Sequence, residues 1–171
     1  KGYGGVFVCN QGTFNMSGGT ITGNTTFLDG AGVFVGGLFG LHDAYKLSGG
    51  TFNMTGGTIT GNKAGTSGGG VYVSSASDTS FKISGTAQIT GNHKGDPSIG
   101  SSTPDTVNNV YLGKYSNEDT GETRMATIEA SGLTDGASIG VTVPTPKNGS
   151  FTEQLVATDV SEAAAKCFSS D

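Results

Sequence analysis

The side chains able to do acid–base chemistry are few and scattered. Asp29, Asp43, Asp78, Asp96 and Asp105 all fall in stretches read as turns or loops, where a carboxylate caps a turn or meets solvent. General acid–base cleavage of a polymer needs several carboxylates, often with a Lys or Arg, converging from neighbouring strands. Nothing in the repeated strands supplies them. His42 and His93 lie in different loops, and His42 with Asp43 or His93 with Asp96 is the nearest approach to a metal-binding pair. There is no HExxH, GxSxG, P-loop or CxxC motif. The expectation is therefore a protein that is not an enzyme and that carries no cofactor or metal.

Binding chemistry has better candidates. Phe7, Phe34, Tyr72 and Tyr111 each sit at the centre of a Val-aromatic-Val/Leu run, so valines pointing inward would set the four rings outward in one column. Such a stripe suits either a covering neighbour or the stacking of sugar rings. The segment 36–50 adds Phe39, His42 and Tyr45 in a loop more apolar than solvent favours, which predicts that it folds back on the wall or binds something. Thr20, Thr22, Thr58, Thr60 and Thr90 form a second outward surface. A flat hydroxyl array is one way to bind ice, although threonine is also an ordinary strand residue and Gln88 interrupts this one.

The elements that must position these residues are repeats. Thr13 to Asn24 returns as Thr51 to Asn62 with a single change, Ser17 for Thr55, and a looser copy spans Ser80 to Asn92. The Val-aromatic runs at 5–8, 32–35, 70–73 and 109–112 keep step with it. Period-two alternation bracketed by glycine marks short strands, about three to a repeat. Strands that return in the same direction after each repeat pair in parallel with their equivalents. The fold class expected is all-β, a right-handed parallel β-helix of a few coils with a C-terminal cap.

Stacked copies become columns. Phe14, Phe52 and Phe81, then Met16, Met54 and Ile83, then Ile21, Ile59 and Ile89 are predicted to fill the interior. Asn24, Asn62 and Asn92 each follow Ile-Thr-Gly and are expected to form a structural asparagine ladder, the alternative being a line of ligand-binding amides. Phe81 to Ile89 is one residue longer than its counterparts, which requires a bulge or a wider turn. The polar loop 93–108 reads as a mobile excursion. Tyr45 to Gly50 mimics the repeated phrase and suggests an additional strand.

Residues 1–112 make up the repeats. Residues 113–171 continue the coil within the same domain, with strands at 126–130, 137–143 and 151–158 and a short helix from Ser161 to Lys166. The chain carries 31 glycines, nine Lys plus Arg against fourteen Asp plus Glu, and a net charge of −5. With Arg124 as the single arginine, nucleic acid is a poor partner. No segment reaches the roughly 20 apolar residues of a membrane helix. A disulfide between Cys9 and Cys167 would require the tail to fold back across the stack. The absence of a recognisable cap near Lys1 suggests a piece of a longer protein and an end able to associate with another copy. The N-x-S/T triplets at Asn15, Asn24, Asn53 and Asn148 are expected by chance in so Asn- and Thr-rich a chain.

Gly-Gly-Gly-Val-Tyr-Val at 68–73, following Ile-Thr-Gly-Asn, resembles the right-handed, pectin-lyase-like β-helix repeats of large surface and secreted proteins in host-associated bacteria. Residues 5–112 are also similar to the GGA(I/L/V) and FxxN repeats of chlamydial polymorphic outer-membrane proteins, with Ile-Thr-Gly-Asn in place of the FxxN phenylalanine. The resemblance implies a non-catalytic, adhesin-type module at the bacterial surface or outside the cell. Its partners would be host or microbial glycans or proteins, and a carbohydrate-binding or polysaccharide-degrading β-helix is the rival reading.

Overall fold

The computed structural model describes residues 3–37, 48–76, 78–98, 100–116, 121–144, 155–157 and 165–171. They form an all-β structure in which each repeat lies on the next through parallel, in-register pairs. On the aromatic wall Val6–Val8, Val33–Val35, Val71–Val73 and Val110–Leu112 follow one another. On the phenylalanine wall Thr13–Met16, Thr51–Met54, Ser80–Gly85, Ile128–Leu133 and Leu155–Ala157 do the same. Thr20–Thr22, Thr58–Thr60 and Gln88–Ile89 make the third wall.

A fourth stack was not legible in the repeat grammar. Thr25–Thr26, Lys63–Ala64 and His93–Lys94 also pair in parallel, so a repeat holds four strands, not three. Two residues with no common side-chain type leave no pattern to read, because backbone groups alone make these pairs. The 93–108 segment is likewise more built than a free excursion. Thr106–Val107 returns antiparallel onto His93–Lys94, and Lys63 holds Asp105 at 2.8 Å.

The predicted columns are the core. Phe52, Met54, Ile59, Phe81, Ile83 and Ile89 are essentially inaccessible, and Phe14–Phe52 and Phe52–Phe81 stack at centroid distances of 5.3 and 5.1 Å. In the first copy Val6, Phe14 and Ile21 are only partly buried, since they have a neighbouring repeat on one side. The additional residue of the third copy is absorbed as a wider turn. Ile83 pairs with Met54 and Gln88 with Thr58, so Ser84–Ala87 replaces Thr55–Gly57, with Gly85 at φ +61°.

Towards the C-terminal end, two walls share a strand. Ser138–Thr142 pairs through Ser138 and Ile139 with Gln88 and Ile89, then through Val141 and Thr142 with Val110 and Tyr111. Phe168–Ser170 pairs onto that strand in turn. The predicted strands at 126–130 and 137–143 are thus present with shifted ends, and the third is observed as Leu155–Ala157. The helix expected at 161–166 lies for the most part outside the described residues, as does the additional strand expected near Tyr45. No disulfide joins Cys9 and Cys167.

The asparagine ladder forms the seam between these two walls. The backbone N–H and the side-chain Nδ2 of Asn24 both donate to Asn62 Oδ1, at 3.0 and 2.9 Å, and Asn62 makes the same pair of bonds to Asn92 at 3.1 and 2.9 Å. Asn92 then donates to Asn109, which the repeat phrase did not predict, and Asn109 donates to both carboxylate oxygens of Asp171 at 2.7 Å. The amides of the buried Asn62 and Asn92 and of the partly buried Asn24 are bonded within the ladder, which favours the structural over the ligand-binding alternative for these three, and Asn109 is buried beside them. The ladder also explains the glycine that precedes each Val-aromatic run. A Cβ on Gly32 or Gly70 would strike the opposite carbonyl of Gly70 or Asn109 and crowd the side-chain amide of Asn62 or Asn92. In the fourth copy that glycine is replaced by Asn109, which supplies the ladder amide itself.

Candidate functional site

The aromatic wall forms as the alternation requires. Val33, Val35, Val71, Val73, Val110 and Leu112 point inward and are buried, and the residue between each pair turns outward. Because the strands are in register, the outward rings meet. Phe7–Phe34, Phe34–Tyr72 and Tyr72–Tyr111 have centroids 5.2, 5.1 and 5.7 Å apart, and the last two pairs lie within 15° of parallel. Tyr3, which no pattern singled out, continues the column onto Phe7 at 4.6 Å.

This geometry decides what the column can do. Near-parallel rings spaced along the stack cover one another's faces and leave their edges uncovered, with the Tyr72 hydroxyl against Gly113 and the Tyr111 hydroxyl bonded to Ser67. A ring edge is the positive rim of the quadrupole, whereas a sugar's C–H face seeks the negative face. Phe34 is 5 % exposed, so the centre of the stripe is largely packed away. The column is a spine with polar tips.

A cavity of about 280 Å³ opens beside it, lined among others by Tyr3, Leu28, Asp29, Tyr72, Lys114 and Tyr115. Asp29 comes from the first link between walls. Burial pushes its carboxyl above the usual range, partly offset by hydrogen bonds from the Thr66 hydroxyl at 2.5 Å and from the Ser67 backbone. Burial, then the Asp29 charge, then Tyr111 push the Tyr72 phenol up to about 12, and Tyr3 and Tyr111 are raised by burial and the same carboxylate. Lys114 and Tyr115 arrive on a hairpin, Lys114–Ser116 with Thr123–Met125, whose Arg124 lies 5.1 Å from the Tyr115 ring centroid. Neither Lys114 nor Tyr115 belongs to a repeat, so repetition could not have flagged them.

The remaining predicted residues stand as follows. Phe39, His42 and Tyr45 lie outside the described residues. On the threonine face Gln88 accepts a long 3.5 Å bond from Thr58 and donates to the Gly136 carbonyl at 2.9 Å, so its amide reaches across the hydroxyl row. Asn53 donates to Asn15 at 2.8 Å as a short outer pair. No group of three His, Cys, Asp or Glu that could hold a metal occurs among the described residues. Among the described residues no helix is long and apolar enough to cross a membrane.

No family model, no curated protein and no solved structure matches this chain.

A second hollow, of about 520 Å³, lies on the fourth stack. Phe27, 55 % exposed, borders it together with Lys94, Asp96, Pro97 and Pro104. The signal was present in the sequence, because Phe27 stands where the second link has Gly65.

Proposed function

We propose that the chain winds as a right-handed parallel β-helix closed at its C-terminal end, and that it is a non-catalytic module of an extracellular, adhesin-like bacterial surface or secreted protein. It serves there as a stalk or binding surface. The observation that carries this reading is the division of labour among its residues. Much of what is copied between repeats is used inside, as Phe, Met and Ile columns and as ladder amides, and the copied outer rings stack on one another. Both hollows are lined mainly by residues that differ between copies, Asp29, Lys114 and Tyr115 in one and Phe27, Lys94 and Asp96 in the other. A constant frame with variable outer links suits display, as does the resemblance of residues 5–112 to surface-protein repeats.

The test pairs two assays on the 171-residue chain. Adhesion to mucin-coated or epithelial surfaces is expected, and incubation with polygalacturonate and related polymers is expected to release no fragments. Turnover of any of these polymers would overturn the non-catalytic reading. End-to-end self-association through the partly buried Val6, Phe14 and Ile21 belongs to the same proposal. A sedimentation series that stays monomeric over a wide concentration range would remove it.

A further inference from the structure

Phe27 breaks a rule that the other stacked aromatics obey. Thr26 pairs with Ala64 and Ala64 with Lys94, so the column one residue further on reads Phe27, Gly65, Gly95. The glycine amides continue the same ladder, Gly65 N–H donating to the Thr26 carbonyl at 2.8 Å and Gly95 N–H to the Ala64 carbonyl at 3.0 Å. In the inner and outer columns each ring lies on the ring of the next repeat. Here the next two positions are glycines because a Cβ on Gly65 would strike the Phe27 backbone and one on Gly95 the Asp105 carboxylate, and Phe27 stacks on no other ring among the described residues. The ring borders a hollow of about 520 Å³, within the range of small-ligand sites.

The rim of that hollow is polar and carries both signs. Lys94 has no ion-pair partner among the described residues, whereas its neighbour Lys63 is held by Asp105 at 2.8 Å. Asp96 accepts the Ser98 backbone N–H at 2.9 Å and hydrogen bonds from the Ser98 and Ser101 side chains, which hold its carboxylate in the turn and leave about one of its roughly four lone-pair sites for a ligand. Thr106 adds a hydroxyl, and Thr66, whose proton goes to Asp29, adds an acceptor. An exposed aromatic ring beside a mixed set of donors and acceptors fits a ligand with one apolar C–H face and a fringe of hydroxyls. Lys94 and Asp96 offset each other, so the rim has no net charge with which to select an ion.

We infer that the Phe27 hollow binds a neutral pyranose saccharide, one sugar ring stacking on the exposed Phe27 ring, with its hydroxyls bonded to Lys94 and Asp96. This site is separate from the cavity beside Tyr72, and it names a glycan as the partner of the surface module proposed above. It rests on the surface reading only for its biological setting.

The test is titration of the intact chain with neutral gluco-, galacto- and manno-oligosaccharides, with oligogalacturonate and a proline-rich peptide alongside. At least one neutral oligosaccharide is expected to bind. Phe27→Ala should weaken it about tenfold or more and Asp96→Asn about tenfold, whereas Phe27→Trp should retain it. Phe27 is exposed, so its removal leaves the core intact, and Lys82→Ala, on the outer side of the phenylalanine wall, serves as a control with unchanged affinity. The inference is overturned if no neutral saccharide binds, if binding survives Phe27→Ala, or if only the uronate or the peptide binds. Polymer turnover would instead remove the non-catalytic reading and leave the hollow in place.

Discussion

Two aromatic columns run along this molecule at nearly the same spacing, one inside and one outside. The inner rings of Phe14, Phe52 and Phe81 stack at 5.3 and 5.1 Å, and the outer rings of Phe34, Tyr72 and Tyr111 at 5.1 and 5.7 Å. The repeat distance between paired strands, about 4.8 Å, imposes that geometry on any in-register column whatever its purpose. Ring stacking is therefore no sign of a binding site. What separates the columns is their surroundings. The inner one is wholly apolar, whereas the outer one carries phenols, meets the half-buried Asp29 and borders a cavity.

The largest effect expected from this contrast lies inside. Phe52→Ala should cost about 3–5 kcal/mol in chemical denaturation, since Phe52 is fully buried between two rings. A cost as small as that of an exposed site would break the distinction. Phe34→Ala in the outer column should cost less, about 2 kcal/mol, and Tyr111→Ala less again, because burial falls along that column.

The phenols offer a sharper probe. Ultraviolet titration should show one tyrosine ionising late, near 12, and Tyr72→Phe should abolish that step. Since the folded pKa is raised, the stabilisation linked to the neutral phenol is complete below about 10 and is lost as pH climbs through about 12. An unshifted titration would mean that the outer column is open to water.

The smallest effect concerns Asp29. Its pKa is also raised in the fold, so its favourable contribution is complete below the ordinary carboxylate value of about 3.9 and is lost as pH rises through the shifted one. Asp29→Asn, which keeps an acceptor for Thr66, should melt slightly higher than the parent at pH 7, and the gap should close near pH 3. A lower melting temperature at pH 7 would show that the charge is favourable there.

Repetition made the inner columns and the first three ladder asparagines legible, because a copied residue announces a copied job. It was silent where the job is shared between unlike residues. Asn109 and Asp171 extend the ladder from outside the Ile-Thr-Gly-Asn phrase, 17 and then a further 62 residues along the chain. The fourth stack depends on backbone pairing that no side chain encodes. Tyr3, Lys114 and Tyr115 reach the cavity from segments without copies. Phe27 was visible only as a difference between two links, and a difference has no meaning until the register between them is known.

The ladder's indifference to chain length has a genetic consequence. Its bonds close over 38, 30, 17 and 62 residues, yet each of its four levels accepts the same two donors from the level before. The Asn24–Asn62 and Asn62–Asn92 junctions are thus interchangeable, and a gene encoding such near-identical units can gain or lose one without remaking the joint.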